Sequence, residues 1–316
     1  RSDGFSQWTL VAWLRELNRR RLHARKQRRA GGFREPGGRW ISAPSTWGWG
    51  LPDHDYLAKL ADRHRKSDPR PALRRPDPEK IVLDVVADEP PVISIVIAAY
   101  GHVDYTLRCL QSIERHPPAC RYEVIVIEDA SGETDAMAVQ GVRGVRFFIN
   151  EENLGYLKSC NKAVAQARGE FICLMNNDVE VTSGAIDALQ DLLVRRVDAG
   201  VVGSKLVYPN GCLQEAGGIL WNNGWAANYG RFDDPLNYLY EYVRAVDYVS
   251  GASLMMRKAL WDNLGGYDEH YCPAYGEDSD LALRVRQAGL KVLYQPRSVV
   301  VHHEGISHGT SEERGL

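Results

Sequence analysis

From Pro91 onward, short apolar runs alternate with stretches whose apolar residues recur every three or four positions. The runs at 92–98, 122–127, 145–149 and 171–175 are each the length of one buried strand. Between them, 103–116 carries Leu107, Leu110 and Ile113 at helical spacing. A short helix is predicted near 134–140, and 154–167 sets Leu157, Cys160, Asn161 and Val164 on one side. Strands spaced by helices predict an α/β architecture, with a parallel sheet and right-handed crossovers.

The pattern changes after Val181. A helix is predicted over 186–194 and a strand over 201–208, followed by a stretch rich in Gly and aromatic residues with no period (Gly217, Gly218, Trp221, Trp225, Tyr229). Strands are predicted at 243–249 and 252–257 around Ser250-Gly251, then a helix at 281–288. Short strands at 291–294 and 299–301 precede His302 and His303.

The first 90 residues read differently. Over 5–29, Leu10, Trp13, Leu14, Leu17 and Leu22 recur at helical spacing among Arg15, Arg19, Arg20, Arg21 and Arg25. Residues 30–52 are Gly-, Pro- and Trp-rich connection, 53–66 predict a second short helix, and 67–78 with four prolines read as a linker. Residues 1–80 hold 19 of the 39 Lys/Arg but only 9 of the 41 Asp/Glu, leaving 20 against 32 for the rest. A basic, Trp-bearing segment at residues 5–34 suits either an anionic membrane surface or a neighbouring acidic domain. Its basic and aromatic residues are not interleaved over a nucleic-acid-binding fold, so no nucleic acid partner is expected.

The 316-residue chain, 44% hydrophobic, is long enough for a full core. Its six cysteines form no CxxC pair, so reduced, buried thiols are expected at Cys109, Cys160 and Cys173. No apolar run reaches the roughly 18 residues of a membrane span, and no signal-peptide pattern is present. A cytoplasmic protein is expected, with peripheral contact at the inner face of the plasma membrane as the further option. The chain starts at Arg1 and reads as a portion of something longer.

Four groups of chemistry-bearing residues stand at predicted strand ends. Glu128-Asp129 could accept hydrogen bonds from a base or ribose, or simply make a turn. Asn176-Asn177-Asp178 could hold a hard cation on a diphosphate, or form an Asx turn. Gly276-Glu277-Asp278-Ser279-Asp280 could place a general base at a helix start, with Asp278 or Ser279 as an ordinary N-cap the plain alternative. His302-His303 could ligate a metal or cap the sheet.

In this order the residues resemble the inverting glycosyltransferases of family 2. The resemblance rests on Ile93-Ser-Ile-Val-Ile-Ala-Ala-Tyr100, Val124-Ile-Val-Ile-Glu-Asp-Ala-Ser131, Asn153-Leu-Gly155 and Asn176-Asn-Asp178 with Val179-Glu-Val181. It continues through Ser250-Gly-Ala252, Gly265-Gly-Tyr-Asp-Glu269, Glu277-Asp-Ser-Asp280 with Leu281 and Arg284, and His302. The resemblance implies the GT-A fold, a Rossmann-like and mostly parallel central sheet flanked by helices. Residues 1–90 would be an N-terminal helical extension and linker, 91–181 the nucleotide-sugar-binding half and 182–316 the acceptor-binding half. The Asn-Asn-Asp triad is similar to the rhamnosyltransferase and O-antigen polysaccharide branch.

By that resemblance Ala99, Glu128 and Asp129 lie against base and ribose, with Asn153 and Asn177 on the same cofactor-binding side. Asp178 ligates Mg²⁺ or Mn²⁺, His302 completes the metal site with Asn176, and His303 replaces His302 if the register slips by one. Asp278 is the catalytic base, and Glu277 and Asp280 orient it or bind sugar hydroxyls. The donor would be a nucleoside-diphosphate sugar (dTDP- or UDP-sugar) and the acceptor a hydroxyl of a growing glycan, lipid-linked in one form. Asn176 and Glu128 stand where the family has Asp, so Asp178 carries more of the metal binding.

The physical chemistry agrees with this assignment. A nucleoside diphosphate leaving group needs its developing charge stabilised, and an attacking hydroxyl needs a base whose pKa neighbours have tuned. Glu277 beside Asp278 supplies like-charge repulsion for that tuning. Aromatic residues of 221–242 suit an acceptor sugar face. The alternative is a non-catalytic glycosyltransferase-like scaffold or sugar-sensing module of a larger synthase. A nucleotidyltransferase would need a basic phosphate loop where Ala98-Ala99-Tyr100-Gly101 stands.

Overall fold

A computed structural model describes residues 74–85 and 89–306. The helices expected at 5–29 and 53–66, the connection at 30–52 and most of the 67–78 linker lie outside the described residues. In chain order the first half comprises β1 (Ile93–Ala99), α1 (Val103–Arg115), β2 (Tyr122–Glu128), β3 (Val145–Ile149), α2 (Tyr156–Val164) and β4 (Phe171–Asn176). Next come β5 (Val179–Val181), α3 (Ala185–Arg195), β6 (Ala199–Val207), β7 (Leu213–Glu215), β8 (Gly218–Leu220) and β9 (Ala226–Asn228). The chain then forms β10 (Arg244–Ala245), β11 (Ser253–Arg257), α4 (Lys258–Leu264), α5 (Glu277–Gln287) and β12 (Lys291–His302).

One sheet runs in the order β10-β12-β6-β11-β4-β1-β2-β3, with β5 on β12 and β7 on β6. Strands β4, β1, β2 and β3 are mutually parallel, as the alternation with helices requires. β11 then enters antiparallel between β4 and β6, while β12 lies parallel to β6. The sheet is therefore parallel through the first half and mixed in the second.

The central strands read as unbroken apolar runs because both sheet faces are covered. Ile93, Ile95, Ile97 and Ala99 of β1 face one core with Leu107, Leu110 and Ile113 of α1. Val96 and Ala98 face the other, with Leu157, Cys160 and Val164 of α2 and Leu281 and Val285 of α5. Ser94 interrupts the run without penalty, because its hydroxyl donates to Glu123 (2.6 Å) and accepts the Gly169 N–H (2.8 Å).

Several boundaries differ from expectation for identifiable reasons. The two short strands at 291–294 and 299–301 are one strand, β12. Pro296 falls inside a register shift between Gln295 and Val299, and such a bulge tolerates a residue with no N–H. α5 starts at Glu277, four residues earlier than the apolar spacing suggests, because Gly276 turns the chain at φ 114°. Neither Asp278 nor Ser279 caps it. The strand expected at 243–249 shrinks to β10, and α4 was not anticipated. Ile81 and Leu83 are buried in the first core and Val82 bridges Arg143, so the packed unit begins before residue 91.

Candidate active site

The carboxyl ends of β1, β2 and β4 carry Ala99, Glu128 and Asn176 to one edge of the sheet. Crevices outside strand carboxyl ends are where open α/β sheets bind ligands. β12 completes this edge from the opposite end of the sequence. Its antiparallel pairing with β5 sets His302 opposite Val179, which brings the imidazole against Asp178.

His302 Nε2 lies 3.2 Å from Asp178 Oδ1 and 3.5 Å from Asn176 Nδ2. Its other nitrogen, Nδ1, is 3.0 Å from Gln214 Oε1 in β7. An amide oxygen there accepts from Nδ1–H and orients the ring so that Nε2 faces Asp178. Burial pushes the Asp178 carboxyl up, but the His302 imidazole more than offsets this and leaves it below the ordinary range. Burial pulls His302 down, and the Asp178 carboxylate more than reverses that. His303 is turned elsewhere: its Nε2 sits 2.8 Å from Glu180 Oε1, which also takes Arg108 Nη2 at 2.6 Å. The register does not slip.

The donor set suits a cation. Asp178 Oδ1 and Asn176 Oδ1 are buried and accept no hydrogen bond. An orphaned buried carboxylate oxygen is costly unless a cation or donor meets it. Two oxygens and one imidazole nitrogen match Mg²⁺ or Mn²⁺, which keep waters and substrate phosphates as their remaining ligands. Among the described residues no cluster of three or more His, Cys, Asp or Glu is placed to hold a metal. A resident ion would therefore share its shell with substrate.

Asp278 lies in the first turn of α5, where its Oδ1 accepts the Ser279 N–H at 2.7 Å. Burial pushes Asp278 up against that hydrogen bond. Glu277 is pushed up to about 8, first by burial and then by the Asp278 charge, and its Oε2 has no partner. Asp280 instead accepts Arg284 Nε at 2.7 Å, while Arg284 Nη1 donates to the Leu264 and Gly266 carbonyls. It braces α5 against the end of α4.

The residues expected to meet a nucleotide gather at this edge, but mainly as builders of loops. Asp129 accepts the Leu154 and Gly155 N–H groups, each at 2.8 Å, and Asn150 Nδ2 at 2.7 Å. Glu128 Oε1 accepts the Ser131 N–H at 3.0 Å and the Gly101 N–H at 3.4 Å. Asn153 Oδ1 accepts the Gly155 N–H at 3.0 Å in an Asx turn. Asn177 Nδ2 donates to Thr106 Oγ1 (3.1 Å) and Gly101 O (3.3 Å). Ala99 is buried, and its carbonyl accepts the Asp129 N–H at 2.8 Å.

Gln214 and Glu215 escaped the sequence reading. They occupy a three-residue strand whose partner, β6, is set by tertiary pairing. The one available signal was two polar side chains within Leu213-Gln-Glu-Ala-Gly217, between apolar and small residues.

The mixed sheet and the helices around it define a GT-A type of α/β fold. A mannosyltransferase, PcManGT from Pyrobaculum calidifontis in complex with GDP-Man and Mn²⁺, superposes with a TM-score of 0.53 at 18% identity, covering 82% of this chain and 67% of that one. The chain belongs to glycosyl transferase family 2, whose profile matches residues 94–264. It is 30% identical over 254 residues to the N-acetylglucosaminyl-diphospho-decaprenol L-rhamnosyltransferase of Mycobacterium tuberculosis, covering 71% of this chain and 79% of the relative. It is 29% identical over 228 residues to the O-antigen biosynthesis protein RfbC of Myxococcus xanthus. That match covers 69% of this chain but only 18% of RfbC, so the chain spans less than a fifth of that relative's length. Among the described residues no helix is long and apolar enough to cross a membrane.

Proposed function

We propose that the chain moves a sugar, with inversion, from a nucleoside-diphosphate sugar to a hydroxyl of a growing surface glycan. The donor is a dTDP- or UDP-sugar, and the rhamnosyltransferase relative favours rhamnose and a lipid-linked acceptor. The observation that carries this reading is the Asp178–His302 pair, 3.2 Å apart, with orphaned oxygens on Asp178 and Asn176.

Asp178, His302 and Asn176 hold Mg²⁺ or Mn²⁺, which supplies Lewis-acid stabilisation of the diphosphate leaving group. Asp278, fixed by the Ser279 amide, takes the proton from the acceptor hydroxyl as that oxygen attacks the anomeric carbon. Its raised pKa suits this task, because a weakly basic carboxylate is a poor acceptor at neutral pH. Glu277 keeps a negative charge away from the base while it remains protonated. Ala99 and the loops built by Glu128, Asp129, Asn153 and Asn177 form the nucleotide cradle.

The test combines binding and turnover. Thermal melting of the chain with dTDP and UDP, with and without Mn²⁺, should rise only where base and metal both match, by mass action. Nucleoside diphosphate release should then require a lipid-diphospho-N-acetylglucosamine acceptor. Metal-independent binding sinks the cation assignment.

A further inference from the structure

Between β9 and β10 the chain sends its apolar side chains in two directions. Tyr240 is fully buried against Leu213, Ala216 and Tyr294, with Leu239 packed beside it. Leu236, Tyr238 and Tyr242 turn outward and are 80%, 78% and 52% exposed. Three large apolar side chains left in water within seven residues mark a contact surface rather than scattered exposure.

The charge around them has one sign. From Phe232 to Val243 the chain carries Asp233, Asp234 and Glu241 and no Lys or Arg, and all three acids are exposed. Lys205, itself buried, meets Glu241 from within the fold. Asp233 accepts the Tyr240 hydroxyl at 2.7 Å and Asp234 the Leu236 N–H at 2.9 Å, which fixes both carboxylates beside the apolar patch. An anionic membrane surface is repelled by such a rim, whereas a basic partner with an apolar stripe is attracted.

The chain carries a segment of that chemistry. Over 5–29, Leu10, Trp13, Leu14 and Leu17 fall at i, i+3, i+4 and i+7, one helical stripe, among eight Lys/Arg and one Asp/Glu. Its tether is long enough. The 44 residues from 30 to 73 would span about 33–40 Å as a coil. The packed unit begins near the far edge of the sheet, where Val82 bridges Arg143 ahead of β3. From β3 to β10 the sheet order makes seven strand spacings, about 34 Å. Such a tether supplies an effective concentration of about 1 mM, so a contact of weak intrinsic affinity suffices.

We propose that residues 5–29 dock on this patch of their own chain, the apolar stripe on Leu236, Tyr238 and Tyr242 and the arginines against Asp233 and Asp234. The inference is independent of the transfer reading above.

Hydrogen exchange read by mass spectrometry tests it on the full chain. Wild type is compared with Leu236→Ser plus Tyr238→Ser, two side chains too exposed to carry the fold, and with Trp13→Ser plus Leu17→Ser. Amides of 5–29 and of 233–243 should exchange about tenfold more slowly in wild type than in either double variant, as expected when a tether of about 1 mM acts on a contact of about 0.1 mM. Raising NaCl to about 0.5 M should weaken that protection, since screening removes the ionic part. Equal exchange of 5–29 in wild type and in the Leu236→Ser, Tyr238→Ser protein overturns the inference. Protection that grows with protein concentration, alongside a dimer in sedimentation, also overturns it by making a second copy the occupant. So does protection of 233–243 that appears only with phosphatidylglycerol vesicles, which would make the patch a membrane contact.

Discussion

Asp178 and His302 depend on a residue neither of them contacts in sequence. Gln214 fixes the imidazole tautomer, and outer partners of this kind typically govern metal affinity by about 10–100-fold. Gln214→Ala should therefore weaken Mn²⁺ binding by roughly that factor while Asp178 stays in place, measured by metal titration with dTDP or UDP present. Asp278→Asn removes the base but keeps the shape. Transfer should fall by about 10²–10⁴-fold with nucleoside diphosphate affinity unchanged. Wild-type turnover in that variant would reassign the base.

The same residues set the pH response. As the proposed base, Asp278 would work only when ionised, and burial raises its pKa, so kcat/KM should fall as pH drops through a value above the ordinary carboxylate range. Burial rather than Glu277 raises Asp278, and Glu277 is itself held protonated, so Glu277→Gln should leave that limb in place. For stability the sign is separate. Glu277 is raised from 4.5 to about 8 on folding, so its stabilising contribution is complete below the unfolded value and is lost as pH rises through about 8. Urea midpoints across pH 5 to 9 should decline less steeply for Glu277→Gln.

At the scale of elements, buried carboxylates hold the loops at the strand ends in place. Asp129 satisfies two backbone N–H groups and one side-chain amide of the loop leading into α2. Asp129→Ala strands these donors and should destabilise the fold by about 1–3 kcal/mol, read from urea unfolding. Nucleotide affinity should fall with it, since Leu154 and Gly155 lose their anchor. The strand pairings matter equally. β5 pairs with β12 at three positions and β7 with β6 at only two, yet these pairings carry His302 to Asp178 and Gln214 to His302.

For the whole molecule, two cores on opposite faces of one sheet make the first and second halves a single packed unit. Ile81, fully buried ahead of β1, belongs to that unit. Ile81→Ala should cost about 2–5 kcal/mol, the range for a large-to-small core change, with a lowered melting temperature. A melting curve indistinguishable from wild type would place residues 78–83 outside the cooperative core.

The sequence by itself determined β1 to β4, α1 and the order of the chemical groups. A strand buried on both faces must be a continuous apolar run, and its first polar residues must mark its end, so Glu128, Asn176 and Asp178 announce themselves locally. It also determined where the acidic group around Asp278 lies in the chain, though not that Gly276 starts the helix there. Tertiary structure alone decided which histidine faces Asp178, because His302 and His303 differ by one position and only the β5–β12 register separates them. It alone turned Glu128, Asp129 and Asn177 into loop anchors, since a hydrogen bond to a distant backbone leaves no mark on neighbouring residues. And it alone exposed Gln214 and Glu215, whose strand is too short to show a period and exists only because β6 is there to pair with it.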